Sequence, residues 1–312
     1  MKSDHVLCLN SRGFHRMHYT AWGDPGAERI VICVHGLSRS GRDFDALAQA
    51  LLPAFHVVCP DVVGRGESDW LEAKEDYGYP QYCADMTNLI ARVTAHPDAG
   101  GIVGRLARAL GTGRRKRRRI YWVGTSMGGI IGMLLAARPN CPLEKLVLND
   151  VGTVIPKAAL ERIALYVGKD PRFKTFRELE AYVRTVSAPF GPHSDEQWRH
   201  LAETAAKLHE DGSWGLRYDP GIGIPFQRGP LADVDLWQYW DPISCPTLLL
   251  RGAQSDLLLK ETALAMTKRG PKPRLVEFEG VGHAPTLMSA DQTEVVRDFL
   301  LADSRATADE RR

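Results

Sequence analysis

Short apolar runs recur along the chain, and the segments between them place apolar residues three and four positions apart. Ile30–Val34, His56–Pro60, Ile120–Val123, Leu143–Asn149, Pro246–Gly252 and Arg274–Phe278 are short runs rich in β-branched and other apolar residues, and they read as strands. Phe14 to Trp22 reads as an early antiparallel strand. Phe44 to Leu52 carries its apolar residues on one face and suits a short helix. In Tyr82 to Val93, Met86, Leu89, Ile90 and Val93 fall at helical spacing, and Ile130 to Ala137 suits a buried helix. Strands alternating with helices predict an α/β fold built on a parallel sheet.

This alternation breaks twice. Between Ala95 and Arg119, Gly100, Gly101, Gly104, Gly111 and Gly113 punctuate the chain, and the cations Arg114-Arg115-Lys116-Arg117-Arg118-Arg119 follow. Such a run repels itself and cannot be buried unpaired, so it reads as a solvated surface loop, with a docking patch for an acidic partner or polyanion as the sharper alternative. From Asp150 to Asp241 the pattern turns to helices and aromatics, and a segment that long should carry structure of its own. Trp198, Trp214, Tyr218, Trp237, Tyr239 and Trp240 crowd it, as packing residues or as the lining of a pocket. Arg184 reads as a surface arginine, with substrate-carboxylate binding as the alternative. The tail, 302–312, is polar and expected to fray.

Composition narrows the class. Hydrophobic residues make up 44% and charged residues 25% of 312, which is ordinary for a globular protein. Forty basic against 38 acidic residues leave a net charge of +2, so nothing global pulls the chain toward nucleic acid or an anionic membrane. Cys8, Cys33, Cys59, Cys83, Cys141 and Cys245 form no CxxC pair, and Cys33, Cys59 and Cys245 lie in or beside apolar strands. Scattered cysteines favour a reducing compartment. No signal peptide is visible and no apolar run approaches the ~20 residues of a membrane span, so the expected location is cytoplasmic.

The chemistry centres on Gly124-Thr125-Ser126-Met127-Gly128, which follows the strand at Ile120 and precedes the helix at Ile130. A serine at a sharp strand-to-helix turn projects its hydroxyl from the sheet edge, and glycines flank it where side chains would clash. A serine hydroxyl needs a base within hydrogen-bond reach and a group to orient that base. His283 follows one downstream strand and Asp256 another, at the sheet edge that carries Ser126. His283 is thus the expected base and Asp256 the expected acid. After the strand Ile30–Val34 come His35-Gly36-Leu37, where the Leu37 and Met127 backbone N–H groups can converge on an oxyanion. His35 is expected to order this loop.

With His35-Gly36, the loop Asp61-Val62-Val63-Gly64-Arg65-Gly66-Glu67-Ser68-Asp69, the turn at Ser126, Asp256 and His283, the chain resembles the α/β-hydrolase superfamily, in the group whose members carry a separate cap. The resemblance implies an eight-stranded, mostly parallel sheet flanked by helices, formed by residues 1–151 and 242–301, with a helical cap at 152–241 after the sixth strand. It implies hydrolysis of a carboxylic ester or related acyl bond through an acyl-enzyme, on a small-molecule acyl substrate, with no metal or organic cofactor required. Some superfamily members place the acid after the sixth strand, which makes Asp150 the alternative to Asp256. Related enzymes that hydrolyse carbon–carbon bonds of ring-cleavage products commonly carry Asn before the serine and Trp after the histidine. Here Thr125 and Ala284 stand at those positions and count against that substrate class. The same scaffold also supports acyl transfer to an acceptor besides water, and ligand binding without catalysis.

Overall fold

Each of the apolar runs forms a strand, and the strands join in one sheet. The computed structural model describes residues 1–95 and 117–302; most of the glycine-punctuated link, the first half of the basic run and the tail from 303 lie outside the described residues. The strands are β1 Lys2–Asn10, β2 Gly13–Trp22, β3 Arg29–Val34, β4 His56–Pro60, β5 Arg119–Thr125, β6 Leu143–Asn149, β7 Thr247–Gly252 and β8 Arg274–Phe278. Their order is β1-β2-β4-β3-β5-β6-β7-β8. β2 runs antiparallel to β1 and β4, and the remaining pairs are parallel.

Helices α1 Asp45–Ala50, α2 Tyr79–Thr94, α3 Met127–Ala136, α4 Lys157–Ala164, α5 Phe176–Val186, α6 Asp195–Ala205, α7 Trp237–Trp240, α8 Lys260–Met266 and α9 Ala290–Leu301 complete the described elements used below. The strand period of two sorts the core. Ile30, Ile32, Val34 and Trp122 pack with Met86 and Leu89 of α2 and Ile131 and Met133 of α3. Val31, Cys33, Tyr121 and Val123 pack on the other face with Leu47 of α1 and Val296 and Leu300 of α9. A parallel sheet buried on both faces explains why the central strands read as unbroken apolar runs.

β1 has no counterpart in the sequence pattern. It pairs with β2 at the sheet edge, burying Val6 and Cys8 while Leu7 and Leu9 stay exposed. Its polar first half, Lys2 to His5, carries no burial signal. The Asn10 side chain accepts from the N–H groups of Arg12 and Gly13 and closes the hairpin. α1 is shorter than expected, because Gly41–Phe44 forms a 3₁₀ turn ahead of it.

Between β6 and β7 the chain forms α4 to α7 and two short antiparallel pairings. Val154–Ile155 pairs with Val234–Asp235, so the way in and the way out run side by side. Ala206–Leu208 pairs with Trp214–Leu216. Capping boxes start α5 (Thr175 with Glu178) and α6 (Ser194 with Gln197), and Leu179, Val183, Ala202 and Ala206 pack between them. The aromatics divide. Trp214 meets Phe176 edge-on at 5.4 Å and Trp240 is buried, its indole N–H donating to the Arg269 carbonyl, whereas Tyr218 and Tyr239 line cavities. Arg184 pairs with Glu180 and Asp195. In the described half of the basic run, Arg118 donates to the Val93 and Pro25 carbonyls and Arg119 pairs with Glu144. Among the described residues no helix is long and apolar enough to cross a membrane.

Candidate active site

Ser126 stands alone between the end of β5 and the start of α3, at φ 52° and ψ −117°. A non-glycine residue there costs on the order of 1–3 kcal/mol, which the surrounding packing must hold in place. That packing is tight. A Cβ on Gly124 would lie 2.3 Å from the Gly128 carbonyl oxygen, and one on Gly128 would lie 2.0 Å from that of Val34. Only glycine lets β3, β5 and α3 approach this closely. The buried Trp122 indole donates to the Gly128 carbonyl at 3.0 Å and fixes the first turn of α3 from below.

His283, in the loop after β8, reaches Ser126: its Nε2 is 3.0 Å from Ser126 Oγ. Its Nδ1 is 2.7 Å from Asp150 Oδ2. A carboxylate can only accept, so Nδ1 carries the hydrogen and Nε2 faces the serine as an acceptor. Asp150 follows β6 at φ 56° and is fully buried. Its Oδ1 accepts from the Gly252 N–H at 2.8 Å and its Oδ2 from Ser255 Oγ at 2.6 Å. The carboxylate is thus satisfied from both sides, as a buried charge requires.

The expected partner of His283 was Asp256, and the structure places Asp150 there instead. Ser255 explains the difference. Its hydroxyl turns inward, donating to Asp150 and accepting from the Leu257 and Leu258 N–H groups at 3.2 and 3.1 Å. That local turn sends the next side chain outward. Asp256 is 49% exposed and pairs with Arg162, through Nε at 2.5 Å and Nη2 at 2.9 Å. β6 lies between β5 and β7, so a residue at its end stands directly beside Ser126.

Asn149, the last residue of β6, was not singled out from the sequence. It is fully buried, and its Nδ2 donates to Thr125 Oγ1 at 2.9 Å and to the Pro285 carbonyl at 2.7 Å. It ties the residue before Ser126 to the loop that carries His283. The available signal was an amide directly after the apolar run Leu146-Val147-Leu148.

The loop after β3 runs past the serine, since a Cβ on Gly36 would lie 3.7 Å from Ser126 Cβ. His35 is buried beneath it, donating from Nδ1 to the Gly36 carbonyl at 2.7 Å and accepting from the Val62 N–H at Nε2 at 2.9 Å. Burial pushes its pKa down to about 4. Asp61 accepts from the Gly41 and Glu67 N–H groups at 2.7 and 2.9 Å, which holds the Asp61–Asp69 loop against this one. Arg65, also missed in the sequence, is fully buried and donates to the Leu37 and Val63 carbonyls at 2.8 and 2.7 Å.

Two cavities meet at Ser126. The smaller, about 130 Å³, is walled by His35, Arg39, Arg162, Tyr182 and His283 among others. The larger, about 950 Å³, runs along α3 under the segment between β6 and β7 and is walled mainly by apolar side chains, including Ile130, Leu134, Ile155, Leu160 and Phe226. Leu37 and Ile163 line both. Away from both, Cys8, His15 and Asp85 are the one grouping of metal-ligating types among the described residues. There His15 Nε2 and Asp85 Oδ2 bond each other at 3.0 Å, and three donors fall short of the four of a structural zinc site.

A hydroxyl, an imidazole and a carboxylate in series, below a strained turn and beside a large cavity, can perform nucleophilic acyl chemistry. The family model described as "Alpha/beta hydrolase family" matches residues 31–298. The chain belongs to the α/β-hydrolase family. A 3-hydroxybutyrate-oligomer hydrolase of Cupriavidus necator is 44% identical to this α/β-hydrolase over 302 residues, covering 94% of the chain and 96% of the relative. A pimeloyl-acyl-carrier-protein methyl ester esterase of Xanthomonas campestris is 22% identical over 278 residues, covering 87% of this chain and 95% of its own. Among solved structures, an α/β-hydrolase from Novosphingobium aromaticivorans superposes with a TM-score of 0.78 at 33% identity, covering 96% of this chain and 98% of the other. The eight-stranded, mostly parallel sheet with flanking helices is the fold of this family, and the chain is an enzyme of its hydrolase class.

Proposed function

We propose that this α/β-hydrolase is a serine ester hydrolase that cleaves short oligomers of 3-hydroxybutyrate through an acyl-enzyme. The observation that carries the chemistry is the position of His283, within hydrogen-bond distance of both Ser126 Oγ and Asp150 Oδ2. The substrate class is supported by the 44% identity to a 3-hydroxybutyrate-oligomer hydrolase over nearly the whole of both chains.

In the first half-reaction His283 Nε2 takes the Ser126 proton as Oγ bonds to the ester carbonyl carbon. The carbonyl oxygen becomes an oxyanion, held by the N–H groups of Leu37 and Met127. The carbon–oxygen bond to the alcohol breaks, and His283 delivers its proton to that oxygen. Water then attacks the acyl-enzyme with His283 again as base, and Ser126 regains its proton. Asp150 keeps the hydrogen on Nδ1 and stabilises the imidazolium without taking the proton. Residues 152–241 serve as a cap that keeps bulk water from the acyl-enzyme.

Incubation of the purified protein with 3-hydroxybutyrate dimer and trimer, with p-nitrophenyl esters beside them, tests the reading. Turnover of the oligomers and fluorophosphonate labelling confined to Ser126 are expected. Ser126→Ala should lose on the order of 10⁶ in kcat while keeping its fold. Parental rates in that variant would remove the serine mechanism.

A further inference from the structure

On the ester-hydrolase reading above, the two cavities at Ser126 are not interchangeable. His283 forms part of the wall of the small cavity and not of the large one. The leaving oxygen must lie within hydrogen-bond reach of His283 Nε2, the atom that returns the proton. The alcohol half of the substrate therefore occupies the small cavity and the acyl half the large apolar one. In an oligoester of hydroxy acids the two halves differ in kind. The acyl half ends in the free hydroxyl and the alcohol half ends in the free carboxylate. Each scission places the carboxylate end in the small cavity.

Size sharpens the assignment. A cavity of about 150 Å³ holds a ligand the size of benzene. The small cavity, at about 130 Å³, leaves room for no more than one small unit, whereas the large one, at about 950 Å³, has room for the rest of the chain. Two arginines stand in the small cavity's wall. Arg39 gives Nε and Nη2 to Asp43, and Nη2 also reaches the Leu201 carbonyl, bracing α6 against the core. Arg162 gives Nε and Nη2 to Asp256, which fixes the guanidinium plane, and the Tyr166 hydroxyl in the same cavity wall is a further hydrogen-bond neighbour; the Nη1 hydrogens lie outside the Asp256 pair. Its side chain is 33% exposed against 13% for Arg39.

We infer that Arg162 binds the free carboxylate of the unit being released, so that the enzyme trims oligoesters from their carboxyl end, one unit at a time. A guanidinium held in plane by one carboxylate presents its remaining donors to a second one in a fixed direction. The large cavity also carries charged residues in its wall, Glu75, Asp76, Arg138 and Arg228, but it does not include His283, so the leaving unit's carboxylate faces Arg162.

The test compares kcat/KM for the 3-hydroxybutyrate trimer as free acid and as its carboxamide, in the parent, Arg162→Gln and Arg162→Lys. The parent is expected to prefer the acid by about tenfold or more. Arg162→Gln should erase most of that preference through KM, and Arg162→Lys should restore part of it. The tetramer should release monomer and trimer first, and a methyl ether at the hydroxyl end should leave that product order intact. A parent that treats acid and carboxamide alike, an Arg162→Gln enzyme that keeps the preference, or a tetramer cut first into dimers would overturn the assignment. If Arg162→Gln does not fold, the parent's acid-to-carboxamide ratio and the tetramer products decide alone. A parent that cleaves neither oligomers nor p-nitrophenyl butyrate would instead bring down the ester-hydrolase reading, and the Arg162 assignment with it.

Discussion

Arg65, fully buried, donates from Nε to the carbonyl oxygen of Leu37 at 2.8 Å. The same guanidinium donates to the Val63 carbonyl and the Tyr82 hydroxyl and lies 5.0 Å from the Tyr82 ring centroid. A buried cation is costly, and this one is satisfied by carbonyls, the Tyr82 hydroxyl and aromatic faces. What it gains is a fixed Leu37 carbonyl, and with it a restrained backbone at the residue whose own N–H, in the preceding peptide, is a proposed oxyanion donor. Lysine keeps the charge but cannot span these acceptors. Arg65→Lys should therefore lower kcat on p-nitrophenyl butyrate on the order of 10²-fold while moving KM far less. A variant with an intact near-ultraviolet circular dichroism spectrum and parental kcat would remove Arg65 from the positioning of that loop.

The two candidate acids separate cleanly by experiment. Asp150 is buried, holds His283 Nδ1 and accepts from Gly252 and Ser255. Asp256 is half exposed and engaged with Arg162. Asp150→Asn preserves shape but offers His283 an amide that favours the wrong tautomer, so kcat should fall on the order of 10⁴-fold. Asp256→Asn should cost less than about tenfold on a neutral p-nitrophenyl ester, because that carboxylate does not touch the imidazole. Steady-state kinetics on both variants decide it, and a larger loss from Asp256→Asn would contradict the proposed role of Asp150.

The sheet was legible because burial on both faces leaves unbroken apolar runs such as Ile30–Val34, and the turn at Ser126 because close packing admits only glycine at 124 and 128. β1 was not, since its polar half, Lys2 to His5, lies on an edge where only Val6 and Cys8 turn inward. Ser126 and His283 could be singled out as candidates because a nucleophile and its base must sit at particular turns, and the structure brings the two side chains within hydrogen-bond distance. Asp256 was expected as the acid and Asp150 only as the alternative, because both follow a strand at the same sheet edge; the structure puts Asp150 on His283. The choice rests on which way a side chain turns, and it is set by the Ser255 hydroxyl, whose bonds to Leu257, Leu258 and Asp150 exist only in the folded chain. Arg65 and Asn149 work through carbonyls of distant loops, and such contacts leave no pattern in the sequence.

Cavity geometry predicts acyl selectivity. Leu160, on α4, lines the large cavity and is only partly buried, so a larger side chain there grows into the cavity more readily than into the core. Leu160→Trp should block chain length and spare the reacting centre. The ratio of kcat/KM for p-nitrophenyl octanoate to that for the acetate should drop about tenfold or more, with the acetate rate changed much less. An unchanged ratio would mean that the acyl chain does not enter that cavity.

His35 makes stability depend on pH in a direction that can be worked out. Its ordinary pKa is about 6.5, and burial lowers it to about 4 in the folded protein. Between those values the unfolded chain takes up a proton that the folded chain refuses. Stability is therefore full above about pH 6.5, is lost as pH falls toward 4, and gains no further slope from this residue below that. The span corresponds to on the order of 3 kcal/mol. His56, also lowered chiefly by burial, adds in the same direction. The structural cause is local: protonation at Nε2 would turn the acceptor of the Val62 N–H into a donor and break the bond that anchors the loop beside Ser126. Urea unfolding at pH 7 and pH 5 should show a smaller loss of free energy for His35→Gln than for the parent, even though the variant starts less stable. Equal slopes in the two proteins would mean that His35 is charged, or accessible to water, in the folded state.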